Sequence, residues 1–239
     1  SFPKHRANNS TSKCPTRRMK RTHESTAEET LSTGLAELGV CLSDAKVRAL
    51  LYYLTLLETW NRAYNLTAVR EPVDMVRRHL LDSLTALPYV RGSHILDLGT
   101  GAGFPGMVIA LSCPDRRCVL LDKNAKKTRF CLQVIAELEI NNVEVVRARA
   151  EEYQPRSLFS TVVARAFGPL SELLSLTRHW LLPGGCLIAM KGTNPQREID
   201  HLPTPYPRPQ VIPLRVPGLA LPRHLIILEA EAVLPADPA

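Results

Sequence analysis

The 239-residue chain has six cysteines (Cys14, Cys41, Cys113, Cys118, Cys131 and Cys186) but no CxxC pair and no metal-ligand spacing among them. That argues against a zinc ribbon or a dithiol redox centre; no metal is expected, and reduced thiols in a cytoplasmic protein are. No uninterrupted apolar run is long enough to span a bilayer, so no membrane partner is expected. No charged-then-apolar signal opens the chain. Acidic residues are missing from positions 1–23, where Lys4, Arg6, Lys13, Arg17, Arg18, Lys20 and Arg21 fall. This absence accounts for the net charge of +7: the other 23 basic residues balance the 23 acidic ones. A nucleic-acid surface therefore has to rest on local clusters.

Residues 1–24 are rich in Ser, Thr, Asn and Arg and read as a disordered basic tail. A transit peptide, an over-extended start and an RNA-touching arm all fit that composition. A single domain is expected over 25–239, made of a helical extension (25–90) and an α/β core (91–239). In the extension, Ser25-Thr26-Ala27-Glu28 resembles a capping box, Leu31, Leu35 and Leu38 recur at helical spacing, and Gly39 stops the helix. Ser43-Asp44 opens a second helix running through Trp60, and Glu71-Pro72 a third that Pro88 ends. The core alternates. Strands are expected at 94–98, 117–121, 143–147, 161–165, 185–190, 209–215 and 224–230, with helices at 106–112, 124–138, 169–181 and 195–202. Such alternation means a mostly parallel sheet with right-handed crossovers. The last two strands share a short Pro/Gly loop without a helix, so they form an antiparallel hairpin at the sheet edge. No heptad and no long apolar edge is evident, so a monomer is expected.

The run Ile95-Leu96-Asp97-Leu98-Gly99-Thr100-Gly101-Ala102-Gly103-Phe104-Pro105-Gly106 carries the chemistry. An apolar strand ends in a carboxylate, glycines follow, and a helix begins whose amides point back at whatever the loop holds. Gly101-x-Gly103-x-x-Gly106 satisfies the dinucleotide pattern, which would make the chain a nicotinamide-dependent oxidoreductase. Asp97-x-Gly99-x-Gly101-x-Gly103 instead resembles the S-adenosylmethionine (SAM) loop of Rossmann-like methyltransferases. A carboxylate there suits the ammonium of a methionine moiety and repels a pyrophosphate. A seven-stranded sheet with the last strand reversed also fits the methyltransferase arrangement better.

Other strand ends add candidates. Asp122 stands where a carboxylate accepts hydrogen bonds from ribose hydroxyls, or else caps the helix that follows. Arg149-Ala150-Glu151-Glu152 follows the third strand, as an adenine-flanking turn or a solvated loop. After the fourth strand, Arg165-Ala166-Phe167-Gly168-Pro169 lacks the Asn or Asp used on exocyclic amines and the cysteine used at pyrimidine C5. Arg165 is the polar group with reach over the ligand crevice, unless it only makes a surface ion pair. Arg70, Arg77, Arg78 and His79, then Lys123, Lys126, Lys127 and Arg129, and Arg147 and Arg149 form basic clusters that hold phosphates or simply face solvent. His79 and Asp82 fall on one helix face, where a histidine is more often a structural hydrogen-bond partner.

Taken in order, Trp60-Asn61-Arg62-Ala63-Tyr64-Asn65-Leu66-Thr67, Arg78-His79-Leu80-Leu81-Asp82-Ser83, the glycine-rich run, Arg165-Ala166-Phe167 and Ala189-Met190-Lys191-Gly192 resemble the bacterial 16S rRNA methyltransferase G family, also called glucose-inhibited division protein B. The resemblance covers about residues 30–230. It implies a Rossmann-like SAM-dependent methyltransferase fold and methylation of guanine N7 in the 530 loop of small-subunit rRNA. It carries SAM contacts to Gly99, Phe104, Ala150, Glu151 and Arg165, beside Asp97, Gly101 and Asp122 in the loop and at the second strand's end. Arg165 is then the catalytic candidate, and Arg77, Arg78, His79, Lys123, Lys126, Lys127 and Lys191 are the RNA-binding ones. A non-catalytic RNA-binding relative would share these motifs. Guanine N7 offers a free lone pair and needs no deprotonation, which accounts for the missing base after the fourth strand.

Overall fold

The computed structural model describes residues 26–192, 195–202 and 208–230; the expected basic tail, Ser25 and Cys14 lie outside them. Seven strands form one sheet: β1 (His94–Leu98), β2 (Arg117–Asp122), β3 (Val143–Arg147), β4 (Phe159–Arg165), β5 (Leu181–Lys191), β6 (Gln210–Leu214) and β7 (Arg223–Glu229). Their order is β3-β2-β1-β4-β5-β7-β6. β1 to β5 run parallel, and β7 runs antiparallel to both of its neighbours. The expected hairpin is there, with β6 at the edge and β7 inside it. Order reverses between β1 and β4, where the first crossover leaves on one side and the later ones on the other; this is the point at which open α/β sheets bind ligands.

Side-chain alternation along the strands splits the core by face. Leu96, Leu98, Val119, Leu121, Val162, Ala164 and Ala189 meet Leu170, Leu173 and Leu174 of α7 (Leu170–Thr177). Ile95, Cys118, Val163 and Ile188 meet Ile109 and Ala110 of α5 (Gly106–Ser112). Beyond this second face, α1 (Ala27–Leu38) and α2 (Asp44–Tyr64) build a core with α6 (Ala125–Glu137), through Leu31, Leu50, Tyr53, Leu57, Phe130 and Val134. The helical extension is thus a layer of the molecule, buried against the same elements that carry the glycine loop.

Local differences from the sequence reading are small and have physical causes. The capping box sits one residue later: Thr26 accepts from the Glu29 amide, and the Glu29 carboxylate accepts from Thr26. The helix expected over 169–181 ends at Thr177, because Trp180 and Leu181 turn back to pair with Phe159. The third helix of the extension is not uniform. A short α3 (Pro72–Met75) widens into a π-helical stretch (Val76–Leu81) and returns to α4 (Asp82–Leu84). π-Turns inside α-helices are frequent at functional sites; this one carries Arg78 and His79, and Asp82 follows it directly.

Candidate functional site

The loop leaving β1 is held by two carboxylates. Asp97 Oδ2 accepts from the Thr100 hydroxyl and the Gly106 amide, both at 2.6 Å. Asp122 accepts from the Gly101 amide through Oδ2 and from the Asn124 amide through Oδ1, both at 2.8 Å. Gly99, Gly101 and Gly103 have φ of 69°, 62° and 102°, a region that disfavours any side chain. From beneath, Tyr53 of α2 donates its hydroxyl to the Ala102 carbonyl at 2.5 Å and stacks on Phe104 at 5.1 Å. His79 stacks on Phe104 at 4.6 Å. Strand, helix and extension thus each hold one part of the loop.

Two hollows open over this loop. One, of about 420 Å³, is lined by Asp122, Lys123, Ala150, Glu151, Phe167 and Glu172. The other, of about 530 Å³, is lined by Arg78, Asp82, Phe104, Arg165, Met190 and Arg223. Gly99, Lys127 and Ala166 line both, so the hollows meet there. Ala166 has φ 53°, a left-handed conformation that costs a non-glycine residue about 1 kcal/mol. Strain of this kind collects at functional sites.

Arg165 is the best-held cation of the second hollow. Its Nη1 donates to Asp82 Oδ2 at 3.1 Å and to the Arg78 carbonyl at 2.9 Å, and its guanidinium lies 5.4 Å from the centre of the Phe104 ring. Asp82, with a side chain 4% exposed, also accepts from Arg223 Nε at 2.9 Å. One buried carboxylate thus fixes two arginines from strands 58 residues apart in sequence.

The candidates sort by what the structure brings together. Gly99, Gly101, Phe104, Asp122, Ala150, Glu151 and Arg165 all line the crevice. Asp122 does not cap α6, since Asn124 fills that place. Asp97 is corrected: it is 0% exposed and lines neither hollow, so it holds the loop from below and does not face a ligand directly. Burial, opposed by the Thr100 and Gly106 hydrogen bonds, lifts its carboxyl to about 6. His79 is corrected as an RNA contact. It is buried, with Nε2 2.9 Å from the Thr67 hydroxyl, and burial followed by the nearby Arg165 charge lowers it to about 3. Arg77 lies away from the crevice, against Gly218 of the β6–β7 loop. Lys191 lines the crevice but is spent on Glu198 at 2.9 Å and the Gly168 carbonyl at 2.8 Å. Arg78, Lys123 and Lys127 line the crevice and Lys126 is exposed beside it. Sequence reading missed Arg223 and Tyr53. Neither lies in a motif, and only the antiparallel return of β7 and the packing of α2 bring them in.

The glycine cradle, the clamped acids and the joined hollows fit a nucleoside bearing an amino-acid end. A Cβ on Gly99 would stand 2.8 Å from Phe167, so the wall there has no room to spare for a side chain. Comparison with known proteins agrees. The family model for rRNA small subunit methyltransferase G matches residues 46–226. A Ribosomal RNA small subunit methyltransferase G from Laribacter hongkongensis is 49% identical over 201 residues, covering 84% of this chain and 97% of that protein. One from Pseudomonas syringae pv. syringae is 47% identical over 202 residues, covering 84% and 94%. Among solved structures, a putative O-methyltransferase from Klebsiella pneumoniae aligns with a TM-score of 0.56 at 16% identity, over 84% of this chain and 97% of that one. The tRNA (m1A58) methyltransferase TrmI from Aquifex aeolicus gives 0.51 at 13% identity, over 62% and 68%.

Proposed function

The chain belongs to the rRNA small subunit methyltransferase G family of SAM-dependent enzymes, and from that premise we propose that it methylates N7 of a guanine in 16S rRNA. One observation carries the choice of nucleophile. Among the described residues, Asp82 is the single carboxylate lining the 530 Å³ hollow, and it is locked between Arg165 and Arg223. Both of its oxygens are taken by guanidinium donors, Oδ2 by Arg165 and Oδ1 by Arg223, so it does not reach toward a substrate proton. The buried His79 is weakly basic and already engaged with Thr67. The hollow therefore favours a nucleophile that carries no proton to lose, and guanine N7 is one.

When bound, SAM supplies an activated methyl on a sulfonium. The protein's part is placement and exclusion of water. The clamped loop and Asp122 present a fixed backbone and a ribose acceptor, Ala150 and Glu151 flank the base end, and Arg165 orients what enters the second hollow. Arg78 and Lys123, exposed at the rim, face the phosphates of the incoming RNA.

Incubation with SAM and unmodified 16S rRNA or small subunits, followed by nuclease digestion and mass spectrometry, is expected to give 7-methylguanine. R165A should lower kcat/KM by about 100-fold; because it also takes one partner from the buried Asp82, its melting temperature is expected to fall, and R165K, which keeps a cation beside Asp82, should recover stability more than turnover. A wild-type protein that binds SAM but leaves both substrates unmethylated refutes the rRNA reading; near-normal turnover in R165A removes Arg165 from the chemistry.

A further inference from the structure

We propose that Lys127 binds the carboxylate at the amino-acid end of the methyl donor, which makes it a cofactor residue and not an RNA contact. The inference rests on the donor reading above and adds the group that recognises one end of that donor.

Lys127 lies in the first turns of α6, just after the Asn124 cap. Its side chain comes back toward the glycine loop. The ammonium stands 3.9 Å from where a Cβ on Gly101 would be. Because Gly101 has no Cβ, the ammonium overlooks open backbone, and it does so where the two hollows meet.

The other cations of the second hollow are differently used. Arg165 and Arg223 share Asp82, Lys191 is paired with Glu198, and Arg78 is exposed at the rim. Among the described residues, Lys127 has no ion-pair partner and no side-chain hydrogen bond, although it is only half exposed. A partly buried lysine without an acceptor gives up hydration for nothing unless a ligand supplies the anion.

The charges around it say which anion. Asp97 lies under the loop and Asp122 beside Gly101. Both attract the ammonium and sulfonium of the donor, and both repel its carboxylate. A zwitterionic end seated over two acids needs one cation at the same place, and Lys127 provides it. An RNA phosphate would meet the rim first, where Arg78 and Lys123 stand exposed; Lys127 sits inward of them at the waist of the crevice.

The test is calorimetric titration of wild type, K127M and K127R with SAM and with decarboxylated SAM, which lacks only the carboxylate. K127M is expected to weaken SAM by about tenfold or more while changing decarboxylated SAM by less than about twofold, and K127R is expected to keep most of the SAM affinity. Equal weakening of both ligands, or of neither, overturns the assignment. So does a K127M protein with normal SAM affinity and a reduced salt dependence of rRNA binding, which would place Lys127 on a phosphate. Failure of the wild type to bind either ligand refutes the donor reading itself, a different outcome from the loss of this one contact.

Discussion

At the scale of single residues, two buried groups move stability in opposite directions as pH changes. His79 is held near 3 by burial and then by Arg165, and Asp97 is lifted to about 6 by burial. As pH falls, the unfolded chain takes up a proton on histidine near its ordinary 6.5 that folded His79 refuses, so the fold loses stability through that window. Asp97 acts the other way. Its stabilisation is fully present below the ordinary 3.8 and is lost as pH rises through about 6. H79F keeps a ring against Phe104 and removes one of the two slopes. Relative to wild type, it is expected to gain about 2 kcal/mol between pH 7 and pH 5, measured by urea denaturation at each pH. Parallel pH profiles for the two proteins would mean that His79 is not kept neutral by its surroundings. In sequence, His79 and Asp82 already shared a helix face. That one would be sealed against Phe104 and the other locked between two arginines depended on partners 25 to 141 residues away.

At the scale of elements, the glycine loop was the most legible part, because its residue types answer to backbone geometry that few other residues can adopt. Gly106, the first residue of α5, is tested most sharply. A Cβ there would stand 2.6 Å from Asp97 Cβ and 2.8 Å from its Oδ2, inside the clamp itself. G106A is expected to lower stability by about 1–3 kcal/mol and to weaken SAM binding with it, read by thermal melts with and without SAM. An unchanged melting temperature and an unchanged SAM-induced shift would show that the clamp tolerates being opened. The third helix of the extension was less legible. Apolar spacing specified a helix over 71–87, but a π-turn depends on what packs around it: here α1 closes in until Gly34 has no room for a Cβ beside Leu81. Pattern within one segment does not contain that information.

At the scale of the whole molecule, the extension and the sheet share burial. Leu57 of α2 is 0% exposed in a core that includes Phe104 of the loop and Phe130 of α6. L57A is expected to cost about 2–5 kcal/mol and to leave one calorimetric transition that SAM shifts upward. Two resolved transitions, with only the first moved by the substitution, would mean that the extension folds apart from the sheet. Such coupling explains why Tyr53 and His79, both from the extension, brace the cofactor loop.

The sequence by itself determined the strand–helix alternation, the reversed last strand and the glycine turn after the first strand, and it put Asp122, Ala150, Glu151 and Arg165 at or just after strand ends. These follow from local periodicity and from backbone conformations that residue type dictates. Only the tertiary structure decided which charges are free. Asp97 went under the loop, Lys191 to Glu198, and Asp82 to two arginines, while Lys127 was left facing the crevice. Pairing of charges is a matter of distance in space, and distance in space is settled by the packing of elements far apart in the chain.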